Sequence, residues 1–219
     1  MPEYIPLAFG LEMLYPPMAL PSGPLRDAYA QLADPCRFAE FRNLGEGMGA
    51  RLAENNNRFL TVGPDRFVYR DEFSQSTYST FEEDIHQILT VLRQVFHVPV
   101  FLHSTVLVRL LMPYSGSENT VEFFQRTVVC GAVPYLDQFE RPASGIGLRL
   151  VFPPSPELHS TFHLRIEPYF RDIKMFFLEN SAQFFDPVLN IEDAKNHLNQ
   201  AYSFVKEKAG PFVLSLSSP

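Results

Sequence analysis

Apolar residues recur at three- and four-residue steps in two stretches of the chain, and over most of the remainder they alternate with polar ones. Across 81–96 the apolar stripe is Phe81, Ile85, Ile88, Leu92 and Val95, with Glu82, Glu83, Gln87 and Arg93 elsewhere on the cylinder. That spacing predicts an amphipathic helix. Thr80 with Glu83 three places on reads as a capping box, and Pro99 ends the segment. Across 191–207 the stripe is Ile191, Ala194, Leu198, Ala201 or Tyr202, and Val205, with Asn190 as N-cap and Gly210-Pro211 as the stop. Glu192 and Asp193 at its start, and Lys206 and Lys208 near its end, suit the helix dipole.

Three strand-like segments precede each helix: 48–53, 58–62 and 66–73 before the first, and 146–152, 158–167 and 173–179 before the second. Asn55-Asn56-Asn57, Gly63-Pro64-Asp65 and Pro153-Pro154-Ser155-Pro156 are turns between them. Upstream of each triplet lie another strand and a short helix, 6–15 with 25–33 and 105–112 with 120–129. The expectation is an α+β fold of two tandem β-α-β-β-β-α units, 1–99 and 100–219, packed as one globular body. Hairpin-length turns imply antiparallel pairing, with the long helices on one sheet face. Joined edge to edge, two such units would form a long sheet with a topology like the TATA-binding-protein saddle or a helix-grip fold, a likeness that carries no function.

Phe supplies 21 residues and Trp none, and hydrophobic residues make up 46% of the 219, enough for a sizeable core that takes most of the Phe rings. The formal net charge is −7 and no run of Lys and Arg stands out, which argues against a nucleic-acid partner and against anionic membrane surfaces. Cys36 and Cys130 have no paired spacing and read as reduced thiols. No apolar run approaches the roughly 20 residues needed to cross a bilayer, and the N-terminus lacks a signal peptide's basic region. Together these predict a cytoplasmic, soluble protein.

The order of Leu14-Tyr15-Pro16-Pro17, the hairpin 59–68 around Pro64-Asp65-Arg66, the helix 81–96, the strand 106–113 with Arg109, and the segment 162–212 resembles a sporadically distributed family of uncharacterised bacterial proteins. The strand after the first long helix reads Val108-Arg109-Leu110-Leu111-Met112 rather than the family's Arg-Tyr-Ile/Val-Asn run. The acidic strand near the C-terminal hairpin is present only as Ile166-Glu167-Pro168-Tyr169. The resemblance implies no known reaction.

The strand 158–167 alternates so that His159, Thr161, His163, Arg165 and Glu167 share one face. Arg109 and Arg149 each interrupt an otherwise apolar strand, and Glu12 and Arg51 stand in comparable places in the first half. If these side chains emerge opposite the helices, Arg109, Arg149 and Arg165 form the centre of a polar face, with His163 and Glu167 beside them. Guanidinium groups so placed can clamp a carboxylate or phosphate. The plainer reading is a solvated sheet face with cross-strand Arg–Glu pairs.

No metal, cofactor or catalytic signature is present. On a strand His159 and His163 stand roughly 13 Å apart, too far to share an ion. Gly45-Glu46-Gly47-Met48-Gly49 is followed by no helix and lacks a P-loop Lys, so it reads as a turn. Glu82-Glu83-Asp84 reads as first-turn dipole compensation. The expected function is therefore non-enzymatic binding of a protein partner through the sheet face or a groove, with a homodimer through an edge strand or a Phe-bearing surface as a further possibility. The alternative is an anionic small-molecule site, for binding or for hydrolysis, on Arg109, Arg149, Arg165, His163 and Glu167.

Overall fold

A computed structural model describes residues 3–73, 76–129, 138–141 and 145–216; Cys130 lies outside them. In chain order the first elements are β1 (Ile5–Leu14), α1 (Ser22–Leu32), β2 (Glu40–Asn43), β3 (Ala50–Ala53), β4 (Arg58–Val62) and β5 (Arg66–Glu72). Next come α2 (Tyr78–Phe96), β6 (His103–Pro113), α3 (Thr120–Thr127), β7 (Leu148–Phe152), β8 (Ser160–Pro168) and β9 (Met175–Phe184). The chain closes with α4 (Ile191–Ser203), a π-helical segment (Phe204–Ala209) and α5 (Gly210–Ser215).

The fold is α+β, with one antiparallel sheet in the order β2-β3-β4-β5-β1-β6-β9-β8-β7. β1 and β6 are its middle, so the sheet runs unbroken across the boundary between residues 99 and 100. Outward from β1 the neighbours are β5, β4, β3 and β2, and outward from β6 they are β9, β8 and β7.

Alternation decides which face is covered. Ser104, Val106, Val108, Leu110 and Met112 of β6 are buried, as are Phe176, Leu178, Asn180, Ala182 and Phe184 of β9. Phe9 of β1 meets both long helices, with ring centroids 5.1 Å from Phe81 of α2 and 6.2 Å from Tyr202 of α4. Both helices therefore cover the same face. Phe123 and Phe124 of α3 reach it too, against Phe176. Nine Phe rings are buried and four more pack against the core, as the composition leads one to expect, but six others, including Phe73, are well exposed. Among the described residues no helix is long and apolar enough to cross a membrane.

Three local features depart from the sequence expectation. Helix α2 starts at Tyr78, with Thr77 as N-cap accepting from the Thr80 amide at 3.2 Å, so Thr80 and Glu83 form no capping box. The extra turn is held by tertiary contacts that periodicity does not register: Tyr78 stacks on Tyr202 at 4.0 Å and donates to Asn199 at 2.9 Å. At the C-terminus Gly210-Pro211 does not stop the helix. The chain widens into π geometry over Phe204–Ala209 and continues to Ser215, with Pro211 just beyond the junction. The Tyr4 hydroxyl donates to the Lys206 carbonyl at 3.0 Å within that segment. Finally, β2 is an additional edge strand whose four residues contain one apolar side chain, too short a pattern to read. It joins β3 through a loop in which Gly45, Gly47 and Gly49 have positive φ, so the glycine-rich stretch is a turn. At Gly49 a Cβ would also sit 1.8 Å from the Val62 carbonyl oxygen.

Candidate functional site

The uncovered face is built by register. Arg149 of β7 lies opposite Arg165 of β8, Arg165 opposite Glu179 of β9, and Glu179 opposite Arg109 of β6. Arg109 is opposite Ala8 of β1, which is opposite Glu72 of β5. The three arginines singled out from the sequence thus share one lateral row, on the face away from the helices.

Ion pairs organise the row. Arg109 Nε donates to Glu179 Oε2 at 2.6 Å and Arg109 Nη1 to Glu72 Oε1 at 3.2 Å. Arg165 Nε donates to Glu167 Oε2 at 2.8 Å, and its Nη1 stands 3.8 Å from Glu179 Oε1. Glu179 therefore bridges two guanidiniums. Glu12, the acidic residue noted in the first half of the sequence, pairs with Arg66 at 3.0 Å and not with this row. Glu72 and Glu179 carry the counter-charge here, a pairing set by register and strand order.

Two arginines are left over. Among the described residues neither Arg149 nor Arg171, in the β8–β9 turn, has an ion-pair or hydrogen-bond partner. Arg149, His163, Arg165, Glu179, Ser181 and Gln183 line an open concavity of about 390 Å³. A second, of about 250 Å³, shares Arg165 and Glu179 and extends the trough toward Arg109 and Arg171. His163 and Glu167 both belong to this face, His163 as lining and Glu167 as the tether of Arg165.

The first half contributes cations to the same face. Arg51 lies over the Phe59 ring at 3.9 Å, Arg66 holds Glu12, and Arg70 crosses Gly10. A Cβ at Gly10 would fall 2.0 Å from Arg70 Nη1, so this glycine is required where Arg70 lies flat on the sheet. Arg70 Nη1 is buried without a hydrogen-bond partner, and burial holds the guanidinium below its ordinary range. With Arg109, Arg149 and Arg165, the uncovered face is more cationic than a chain of net charge −7 would suggest.

The helix-covered face holds a second charged group that the sequence did not disclose. Arg58 of β4 is 1% exposed and forms ion pairs with Asp84 of α2 and, at 4.0 Å, with Asp71 of β5. Tyr69 donates to Asp84 at 2.6 Å and accepts from Arg58 Nε at 3.0 Å. Asp84 is thus a buried partner and not the helix-dipole residue that its place in Glu82-Glu83-Asp84 implies. The signal was available: Asp84 adjoins Ile85 on the apolar stripe.

Burial pushes the Asp84 carboxyl up to about 6, against the pull of Tyr69 and Arg58. Between about pH 4 and 6 the folded protein then holds a proton that the unfolded chain has released. This group's contribution to stability is greatest at the acidic end and falls as pH rises to about 6, by roughly 2–3 kcal/mol. Asp84→Asn, which cannot titrate, is expected to remove that slope. Urea unfolding of both proteins at several pH values checks it, and parallel curves would contradict it.

Ser104 and His197 form a further buried pair, Oγ to Nδ1 at 2.8 Å, with His197 stacked on Phe184 and burial holding its pKa low. Ser104 is fully buried and lines none of the described concavities, so the pair secures α4 on the sheet. Burial pushes the Cys36 thiol up to about 12, which leaves it a weak nucleophile. Among the described residues no group of three or more His, Cys, Asp or Glu is placed to hold a metal ion. No protein-family model matches this chain, and no curated protein matches it as a relative.

Proposed function

We propose that the protein is a non-enzymatic binding protein whose uncovered sheet face recognises an acidic protein partner. The observation that carries this reading is the Arg149–Arg165–Glu179–Arg109 row, paired internally by glutamates yet ending in a free guanidinium at Arg149. Paired arginines are held in fixed orientation, so an incoming carboxylate meets a preorganised surface and little side-chain entropy is lost on binding. Screening by salt follows from the exposure of the row.

The test uses dye-labelled polyglutamate followed by fluorescence anisotropy. Binding to the wild type is expected to weaken steeply with added salt and to drop at least tenfold in Arg149→Glu, Arg165→Glu. Equal binding by both proteins, or none by either, would overturn the reading.

The concavity lined by Arg149, His163 and Arg165 favours a second reading, a small anion held there. Thermal-shift measurement with phosphates, nucleotides and dicarboxylates separates the two. A ligand specific to the folded state adds about 2.7 kcal/mol at a hundredfold excess over Kd. A shift with a small anion that Arg149→Ala abolishes would support this alternative.

The architecture is consistent with a tandem repeat of the β-α-β-β-β-α unit. Outward from the centre the strands run β1-β5-β4-β3 on one side and β6-β9-β8-β7 on the other, with α1 and α3, then α2 and α4, at matching points in the chain. On that reading β2 is an addition to the first unit, and the whole has the saddle-type topology expected from the sequence. A cytoplasmic location fits the buried, unpaired Cys36 thiol.

A further inference from the structure

We infer that the segment recognised by this face carries an aromatic residue flanked by acidic ones, the aromatic ring entering the concavity beside Phe73. The inference rests on the proposed binding reading and adds the chemistry of the partner. Two backbone irregularities converge on that concavity. The β1–β6 register shifts between Pro6 and Ala8, and the extra residue, Leu7, lines the hollow. Such a bulge re-aims side chains out of the regular alternation. On the neighbouring strand's end, Phe73 adopts φ 55, a left-handed conformation that is unfavourable for a bulky residue, and its amide donates to the Leu7 carbonyl at 2.7 Å. The result is a Phe side chain that is 53% exposed on the rim of a charged trough.

The remaining walls are Phe177 and Tyr169, with Arg109 and Arg171. Arg165 lies 5.3 Å from the Phe177 ring centroid, so cation and ring already share the space. A ring inserted here would meet aromatic edges and guanidinium planes together. Arg171, which has no ion-pair or hydrogen-bond partner, lines this hollow, and Arg149, likewise without one, lines the adjoining concavity that shares Arg165 and Glu179. Charge complementarity therefore calls for acidic groups beside the ring, one for each of these cations, and a ring without them would leave both unused.

Two short dye-labelled polyglutamate peptides test this, one with a central phenylalanine and one with alanine in its place. The phenylalanine peptide is expected to bind wild type about tenfold more tightly. Phe73→Ala should erase that difference while leaving the alanine peptide's affinity unchanged, and Phe73→Gly, which accepts the positive φ, should behave alike. If both peptides bind equally and Phe73→Ala changes neither, while charge reversal at Arg149 and Arg165 abolishes both, the aromatic subsite is wrong and the acidic-partner reading stands. If neither peptide binds the wild type, both readings fall.

Discussion

Replacing Arg58 with alanine is expected to lower the stability of the protein by about 3–5 kcal/mol, the usual effect of removing one partner from a buried charge group. Arg58 reaches three acidic residues, Glu54 at 3.3 Å, Asp71 and Asp84, and Asp71 is itself 1% exposed. Without the guanidinium, both buried aspartates must take up a proton or remain charged in a place that solvates them poorly. Both Asp71 carboxylate oxygens already lack a hydrogen-bond partner, so Arg58 at 4.0 Å supplies their main compensation. The midpoint of urea unfolding at neutral pH reads the loss directly. A loss below about 1 kcal/mol would mean that water replaces the guanidinium, and that the group is not sealed beneath α2.

Ile88→Ala and Leu92→Ala are each expected to cost about 2–5 kcal/mol. Both side chains are fully buried on the face of α2 that also presents Phe81, Ile85 and Leu89. They differ from Arg58 in mechanism, because the loss comes from an unfilled cavity and not from unpaired charge. Stability changes at Ile88 should therefore be nearly independent of pH between about 4 and 6, whereas those at Arg58 should not. Measured losses under about 1 kcal/mol at both positions would show that the helix relaxes into the space.

The apolar stripe of α2 was legible because burial there follows a strict period, and β4 was legible to its end residues because Asn55-Asn56-Asn57 and Gly63-Pro64-Asp65 fence it. Strand β9 was read too short. Its outward residues Ser181 and Gln183 and its buried Asn180 and Ala182 give a weak alternation, and the strand persists because β6 and β8 pair with it on both sides. The arginine face was visible as single charges interrupting apolar strands. Their partners were not, since which glutamate meets which arginine depends on register and strand order: Arg109 pairs with residues at positions 72 and 179. The Phe73 hollow was invisible for a related reason. It exists only where a bulge in one strand meets a left-handed residue at the end of the next.

The place of β1 at the middle of the sheet has a consequence for how the chain acquires its shape during synthesis. This first strand needs both of its edges filled, yet the residue facing Ala8 on one side is Glu72 and on the other is Arg109. A ribosome delivers the first partner while β6 is still unmade, so a nascent first unit holds β1 with one edge bare. That edge carries Phe9, Leu11 and Met13 on its covered side, and an unpaired apolar strand edge is a template for joining another chain. Pairing with β6 fills that edge but leaves β6's own far edge bare until β9 is made, so the newborn protein needs protection from its neighbours until elongation has passed residue 184.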